Sequence, residues 1–330
     1  MTPRALTTFL PSMHRTTTDF DFLRGAFDVT SRRFSDPFDP ESGWVTAQAT
    51  SNATTHFAGA VSIDEMYFPA EGNHGMSLRL FDPVERTWTV YWVDSRNGVL
   101  QSPVTGAWEN GRCWLTGPDE YAGRPILASD SWSDVTDGTA RWEQCFSFDD
   151  GVTWLPNWTM NFTRRASDPV VADASPRVAD DFNFLSGRWR VHHRRLPDPL
   201  SGGSQWIDFD GVMEGHTYMA GGVSVDECSL ADPGRRGLTF RTYDPLTEQW
   251  SIYWVNSAVG RLEPAVRGGF MNGIGTFYGV EQVGGREVHV RFVWSDISVT
   301  SARWQQAFSL DGGAMWADNW EMRFTREAEE

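Results

Sequence analysis

The stretch DDGVTWLPNWTMNFTRR at residues 149–165 decides the fold, because a near copy of it, DGGAMWADNWEMRFTRE, returns at residues 311–327. In both stretches an Asp-Gly turn leads into a run that carries Asn, Trp, Met, Phe, Thr and Arg at the same spacing. Asp149 and Asp311 are 162 residues apart, and the same offset pairs tryptophans along the whole chain. The chain is therefore a tandem duplication, and comparing the copies separates shared positions from changed ones.

The composition fits two compact domains with aromatic cores. The 330 residues are 40% hydrophobic and include 17 Trp and 21 Phe, enough to fill two cores or to line a pocket for flat, apolar ligands. All 28 basic residues are Arg, a usage typical of GC-rich bacterial genomes, so lysine Schiff-base chemistry and the Lys-dependent phosphate loop are excluded. The net charge of −16 opposes binding to nucleic acid and to anionic membrane surfaces.

The chain divides into four predicted segments. We expect an N-terminal arm at 1–18, a first barrel at 19–165, a linker at 166–180 and a second barrel at 181–330. The linker prediction rests on Pro, Ala, Asp and Ser without a period. No stretch resembles a secretory segment or approaches the roughly 20 apolar residues of a membrane span. Three cysteines at non-equivalent positions argue against a disulfide framework, and we expect a cytoplasmic protein.

Each copy has the pattern of an all-β domain. About ten short runs rich in Trp, Val, Phe, Tyr and Thr alternate with Gly, Asp, Asn and Pro, without long helical periodicity. Asp82 and Asp244, each followed by Pro, predict the turns of two hairpins. The repeated Val-Ser-Ile/Val-Asp-Glu motif, which contains Asp64 and Asp226, predicts a further structural turn. The predicted fold class is all-β, with two antiparallel barrels in tandem.

The start of each copy resembles that of lipocalin and fatty-acid-binding-protein domains, the calycins. The second copy carries Phe-Leu-x-Gly-x-Trp, with Gly187 and Trp189, and the first has Gly25 but Phe27 in place of Trp. In that superfamily the Trp plugs one end of the barrel and an Arg of the last strand stacks over it, a role that matches Arg326. The resemblance implies two tandem lipocalin-like β-barrels, similar to lipocalin-like bacterial proteins of unknown function and to cofactor-free tandem-calycin cyclases and hydratases of secondary metabolism.

Asp130 is the informative difference between the copies. Strand alternation places it on the same face as Trp132, where the other copy has Phe292. A desolvated carboxyl in that position would have a raised pKa and would suit general acid or base catalysis. The alternative is a structural role, with Asp130 hydrated near a barrel mouth or paired with Arg141 or Arg33.

The other candidate site residues follow from the same alternation. His193 and Arg33 complete the predicted catalytic set with Asp130. The residues predicted to bind the ligand are Trp92, Asp94, Trp132, Trp142, Gln144, Arg195, Trp254, Asn256, Trp294, Asp296, Trp304 and Gln306. Adjacent His192 and His193 point to opposite faces of a strand, so we expect no metal site, and no motif indicates a cofactor.

Three functions remain open. A cofactor-independent enzyme would hold an apolar or aromatic small molecule against Trp walls and promote cyclisation, isomerisation or (de)hydration by positioning and acid/base catalysis. A non-catalytic binding or carrier protein would use the same cavity only to hold the ligand. A structural module would have barrels filled by their own side chains. We favour the enzyme, and the sequence leaves the formation of a homodimer open.

Overall fold

The computed structural model describes residues 17–166, 178–230 and 235–327, which consist almost entirely of antiparallel strands. The predicted arm and linker lie largely outside these residues. Within the described ranges no helix is long and apolar enough to cross a membrane. The helical segments are short 3₁₀ turns at Asp21–Leu23, Pro40–Ser42, Phe57–Gly59, Asn183–Leu185 and Met219–Gly221.

Ten strands form the first barrel as a meander, which closes where the first strand pairs with the last. Closure leaves no strand edge unpaired. The strands are β1 (Gly25–Phe34), β2 (Trp44–His56), β3 (Val61–Phe68), β4 (Asn73–Asp82), β5 (Thr87–Asp94), β6 (Val104–Glu109), β7 (Arg112–Tyr121), β8 (Arg124–Ser133), β9 (Thr139–Ser147) and β10 (Leu155–Arg164).

The second barrel repeats this topology with ten further strands. The prediction of an all-β fold with two antiparallel barrels is confirmed, and the hairpin turns after Asp82 and Asp244 lie as predicted. The strands are β11 (Gly187–Arg195), β12 (Ile207–Tyr218), β13 (Val223–Ser229), β14 (Arg236–Asp244), β15 (Gln249–Asn256), β16 (Val266–Met271), β17 (Ile274–Val283), β18 (Arg286–Ser295), β19 (Ser301–Ser309) and β20 (Ala317–Arg326).

An Arg stacked on an aromatic ring joins the first and last strands of each barrel. The guanidinium carbon of Arg326 lies 4.2 Å from the ring centroid of Trp189, which is fully buried. In the first barrel Arg164 lies 4.5 Å from the ring of Phe27. Each Arg also donates hydrogen bonds to backbone carbonyls just before the first strand. Cation–π contact and charge-assisted hydrogen bonds therefore hold each barrel closed at this seam.

The two barrels pack against each other through the outer faces of equivalent strands, β3 to β5 and β13 to β15. All ten residues of β4 are buried, because its inner face lines one barrel while its outer face covers the other. At the rim of this interface His56 Nδ1 lies 3.1 Å from Glu227 Oε2, and Arg261 Nε donates to Asp82 Oδ2 at 2.5 Å. The buried apolar side chains of the interface are Phe57, Val61, Ile63, Met76, Leu78, Leu80, Val93, Met219, Val223, Val225, Leu238, Phe240 and Val255.

The prediction of a structural turn at the repeated Asp-Glu pair is wrong. Asp64 lies within β3 and Asp226 within β13, and both carboxylates are buried inside their barrels. Asp64 accepts hydrogen bonds from Arg79 Nη2 at 3.2 Å and from Ser51 Oγ at 2.5 Å. Asp226 forms the equivalent ion pair with Arg241. The motif recurs because each barrel contains a buried ion pair, in which each charge needs its partner to offset desolvation.

Candidate functional site in the first barrel

The interior of the first barrel contains a cavity of about 620 Å³, a volume typical of small-molecule pockets. Contacts between the aromatic walls limit their movement: the rings of Trp142 and Trp158 meet edge to face with centroids 5.3 Å apart, and Trp92 meets Trp158 in the same way at 6.4 Å. The aromatic side chains that line the cavity are Phe38, Phe68, Trp92, Trp132, Trp142, Phe146, Trp158 and Phe162.

Small side chains in the first barrel correspond to larger ones in the second. Other changes go in the opposite direction: Met66, Phe38 and Phe68 correspond to the smaller Cys228, Leu200 and Leu230. Beside the first of these, Cys228 Sγ lies 3.8 Å from His193 Nε2, so the imidazole packs next to the shorter side chain. At five interior positions the first barrel therefore has the smaller side chain and leaves more space. The pairs of small and large residues are Ser31 and His193, Ser51 and Met213, Leu115 and Phe277, Ala128 and Val290, and Asp130 and Phe292.

Asp130 lines this cavity from β8. Its register partner is Gln144 on β9, and both Gln144 and Trp142 lie within hydrogen-bonding reach of the carboxylate. Its Oδ1 atom has no hydrogen-bond partner in the described part of the chain. Arg141 and Arg33 do not pair with it, because each is bound to a Glu of its own. The described residues therefore leave one buried oxygen of the carboxyl group without a hydrogen-bond partner, and the accessible surface of the residue lies on its other atoms.

Burial raises the pKa of Asp130 from 3.8 to about 7. Desolvation is the main cause, and it outweighs the hydrogen bond from Gln144 and the charge of Arg79, which favour the carboxylate. The side chain is only partly buried by accessible surface, and because it lines the cavity, the surface it retains faces that enclosed space. A carboxyl with a pKa near 7 is present in both protonation states at neutral pH and can give or take a proton.

Arg79 lies beside Asp130 and already has a carboxylate partner in Asp64. Its guanidinium is buried and lies between two rings, 5.3 Å from the centroid of Phe20 and 5.6 Å from that of Trp132. The second barrel repeats this arrangement around its own Arg, so the ion pair belongs to the shared fold. Asp130 adds a second carboxylate beside Arg79, and this addition is specific to the first barrel.

Two partly exposed ion pairs lie at the opening of the cavity. Arg33 Nη2 lies 2.8 Å from Glu71 Oε1, and Arg96 Nη2 lies 2.6 Å from Asp94 Oδ2. The guanidinium of Arg33 is also 5.7 Å from the ring centroid of Trp158. The predicted catalytic residue Arg33 thus lines the cavity, but its guanidinium already forms an ion pair with Glu71.

His193 lies in the interior of the second barrel. Its ring is completely buried, stacks on Phe209 at 4.4 Å, and accepts a hydrogen bond from Trp320 Nε1 at Nδ1 over 3.3 Å. Burial lowers the pKa of His193 to about 4, so the imidazole is neutral at physiological pH. These contacts favour a packing role, and His193 stands apart from the cavity that Asp130 lines.

The predicted site residues divide between the barrels. Arg33, Trp92, Asp94, Asp130, Trp132, Trp142 and Gln144 line the first cavity together. Arg195, Trp254, Asn256, Trp294, Trp304 and Gln306 occupy the equivalent positions of the second barrel. Asp296 lies on the exposed turn after β18. Arg79 and Asp64 were missed as cavity residues, although their recurrence as Arg241 and Asp226 was a visible signal.

Comparison with known proteins does not assign the chain to a family. No protein-family profile matches the chain, and no curated protein matches it significantly. Among solved structures, a DUF3598-family protein of unknown function from Nostoc punctiforme covers 96% of this chain and 100% of its own at 12% identity, with a TM-score of 0.29. A mutant of transferrin-binding protein B from Haemophilus parasuis covers 92% of this chain and 76% of its own at 7% identity, with a TM-score of 0.22. At these TM-scores neither likeness bears on fold or function.

A metal site has no support among the residues that the structure describes. In that part of the chain no three His, Cys, Asp or Glu side chains come together in a group that could hold a metal ion. His192, on the outer face of β11, lies 2.8 Å from Asp210 and 3.4 Å from Asp208 through its two ring nitrogens. Both nitrogens therefore face carboxylates on the surface of the barrel.

Proposed function

We propose that the first barrel binds an apolar or aromatic small molecule and that Asp130 exchanges a proton with it. The observation that carries this proposal is a desolvated carboxyl group in the wall of an aromatic cavity, with one buried oxygen that has no hydrogen-bond partner among the described residues. The second barrel has Phe292 at that position. A carboxyl that only stabilised the barrel would be expected to have both oxygens satisfied, since a buried group without a partner is destabilising.

The chemistry that fits is a cofactor-independent cyclisation, isomerisation or (de)hydration. With a pKa of about 7, Asp130 serves as a general acid or a general base at neutral pH without a large energetic penalty. Gln144 and Trp142 orient its carboxyl group, and the Trp walls restrict the conformations of the substrate. Positioning of this kind lowers a barrier by several kcal/mol in favourable cases, roughly 7 to 11 at its upper limit.

The proposal extends to the cellular location of the protein and to the kind of metabolism in which it acts. The calycin resemblance of the sequence supports it by analogy with cofactor-free tandem-calycin cyclases and hydratases, and analogy of architecture does not determine function. We place the protein in the cytoplasm of a bacterium, in secondary metabolism. Its net charge of −16 supports a small-molecule partner over nucleic acid or an anionic membrane.

Binding is the first test, and Trp fluorescence is its readout because four Trp side chains line the cavity. The wild-type protein should show saturable quenching with members of a panel of aromatic and polyene compounds. The double variant Asp130→Phe, Ala128→Val gives the first barrel the residues that the second barrel has at the equivalent positions, Phe292 and Val290. This filled variant should lose the response while retaining its fold by circular dichroism.

Proton transfer is the second test, made with any compound of the panel that turns over. Asp130→Asn should lower kcat about 100-fold or more, as expected when a general acid or base is removed, whereas loss of a binding contact alone would raise KM and leave kcat in place. An unchanged kcat in Asp130→Asn would contradict the proton-transfer role. Saturable binding of compounds that never turn over would instead identify a carrier protein.

A further inference from the structure

We infer that the ligand of the first barrel carries a positive charge, as an alkyl- or arylammonium group, which Asp130 and the surrounding tryptophans hold. The inference rests on the proposed function and narrows it to a substrate class. It follows from the balance of charge around the cavity, from the chemistry of its walls and from the difference between the two barrels.

The charged side chains that line the cavity leave a surplus of negative charge. Every Arg among them is already paired with a carboxylate. Asp130 and Asp119 also line the cavity, and neither is ion-paired within the described residues. A ligand carboxylate or phosphate would therefore find no Arg without a carboxylate partner, although Nε and Nη1 of the buried Arg79 have no hydrogen-bond partner among the described residues. A cation would find a carboxylate without an ion-pair partner. The pairs, with their N–O distances, are Arg33 and Glu71 at 2.8 Å, Arg79 and Asp64 at 3.2 Å, and Arg96 and Asp94 at 2.6 Å.

The walls of the cavity suit a cation as well as an apolar group. The faces of aromatic rings, and of Trp above all, attract ammonium and guanidinium groups. Trp132 already shows this behaviour in the structure, with the guanidinium carbon of Arg79 lying 5.6 Å from its ring centroid. Trp92, Trp142 and Trp158 line the same space. An ammonium group near Asp130 would thus be surrounded by rings and would face one carboxylate.

The comparison between barrels shows that this excess charge is not required by the fold. In the second barrel Arg241 and Asp226 form a balanced pair, and Phe292 stands where the first barrel has Asp130. An ionised carboxylate without a partner is destabilising in such a site, and a bound cation would relieve that penalty. The net charge of −16 also favours the approach of cations.

The attraction for a cation should depend on pH through Asp130. The groups that act on it from neighbouring strands are Arg79 on β4, which favours the carboxylate, and Asp119 on β7, which opposes it. Cys113 on β7 and Cys145 on β9 also lie near, and burial raises the pKa of both thiols, that of Cys145 to about 11. Because the pKa of Asp130 is about 7, its negative charge increases between pH 5.5 and pH 8.

The experiment compares three probes of similar size in Trp fluorescence titrations of the full chain. Benzyltrimethylammonium carries a permanent charge, neopentylbenzene is its neutral isostere, and phenylacetate is an anion. At pH 8 the cation should bind about tenfold or more tightly than the neutral isostere. At pH 5.5 this preference should shrink to about threefold or less, because protonation removes the charge of Asp130.

Variants separate the charge from the shape of the cavity. Asp130→Asn should abolish the preference for the cation at pH 8 and leave the Kd of neopentylbenzene within about threefold, because Asn keeps the shape and loses the charge. Asp134→Asn, which neutralises an exposed carboxylate on the turn after β8, is the matched control and should keep the preference. The pH dependence of the wild type provides the same comparison without a mutation, should Asp130→Asn fold poorly.

The outcomes distinguish the inference from the proposed function. Equal Kd values for the cation and its neutral isostere at pH 8, or tightest binding of phenylacetate, would overturn the inference and leave the proposed site standing. A preference for the cation that persists in Asp130→Asn would also overturn it. If none of the three probes binds, the cavity does not accept aromatic ligands, and both proposals fail.

Discussion

Replacing Asp130 by Asn should remove a pH-dependent destabilisation of the first barrel. Burial raises the pKa of this carboxyl group from 3.8 to about 7 in the folded protein, whereas the unfolded chain leaves it in water. Below about pH 4 the group is protonated in both states and its ionisation contributes nothing. As the pH rises towards 7 the unfolded state releases the proton first, so the free energy of unfolding falls, and above 7 the loss is complete.

The magnitude follows from the size of the pKa rise. A rise of about three units corresponds to a loss of about 4 kcal/mol, with a slope approaching 1.4 kcal/mol per pH unit between the two pKa values. This figure is an upper limit, because the part of the side chain that faces the cavity is accessible to water. Asn has nearly the same shape and no charge. Between pH 4 and pH 8 the free energy of unfolding of Asp130→Asn should therefore rise relative to that of the wild type by up to about 4 kcal/mol.

Urea unfolding followed by Trp fluorescence at several pH values measures this difference. Wild type and Asp130→Asn should unfold at similar urea concentrations near pH 4 and diverge as the pH rises, with the variant more stable at pH 8. Asp134→Asn removes an exposed carboxylate beyond the end of β8 and should follow the wild type. Parallel stability curves for wild type and Asp130→Asn would refute the assignment of a desolvated, protonatable carboxyl group at this position.

Three further predictions test the fold. Trp189→Ala should lower the free energy of unfolding by about 3 to 5 kcal/mol in urea titrations, because it empties the seam of the second barrel. Gly98→Ala should lower the melting temperature and weaken the contact between the barrels, because its Cβ would lie 1.7 Å from the carbonyl oxygen of Tyr243 at a φ of +60°. Gly260→Ala should have the same effect. Unchanged melting temperatures in both variants would contradict the close approach of the two barrels at these glycines. Native protein should not react with a thiol reagent until urea exposes its three buried free thiols, Cys113, Cys145 and Cys228.

The two barrels were predictable because strand residues alternate between faces and the repeat shows where each strand recurs. On β11 the alternation predicts one inward face with Trp189, Val191, His193 and Arg195, and an outward face with Arg190, His192 and Arg194. The structure buries the first three inward residues and exposes all three outward ones, but Arg195, at the end of the strand, is exposed as well. Local patterning and tertiary packing agree here, because one face of the strand meets the core and the other meets solvent.

The contact between the barrels could not be deduced from alternation alone. Its strands keep a period of two, as in Met76-Ser77-Leu78-Arg79-Leu80 of β4, but their apolar side chains face the other barrel and their polar side chains face the interior of their own. Alternation alone would therefore turn the apolar face of these strands towards the wrong core. A signal was nevertheless present in the duplication. Ile63 and Val225 are apolar at outward positions of equivalent strands, as are Leu78 and Phe240. Shared apolar residues on an outer face indicate a second surface to be covered.

The site was predictable only in part, for a related reason. Asp130 stood out because it differs from Phe292 in kind, and that difference is visible in the sequence. The cavity beside it depends on the summed volume of side chains from different strands, such as Leu115 on β7 and Ala128 on β8. No local pattern reports such a sum, because packing is a property of neighbours in space rather than along the chain.

The duplication allows one barrel to supply stability while the other contains a destabilising site. The second barrel has larger interior residues than the first at positions such as Phe277 and Val290, which are completely buried and contribute the stability of a dense core. The first barrel carries a cavity and the desolvated carboxyl group of Asp130, both of which are destabilising. Because the barrels share a buried interface, opening the first also exposes apolar surface of the second. The stability of the second barrel therefore compensates for a destabilising site in the first. This compensation is a physical reason for the two copies to diverge in their interiors while keeping the same outer contact.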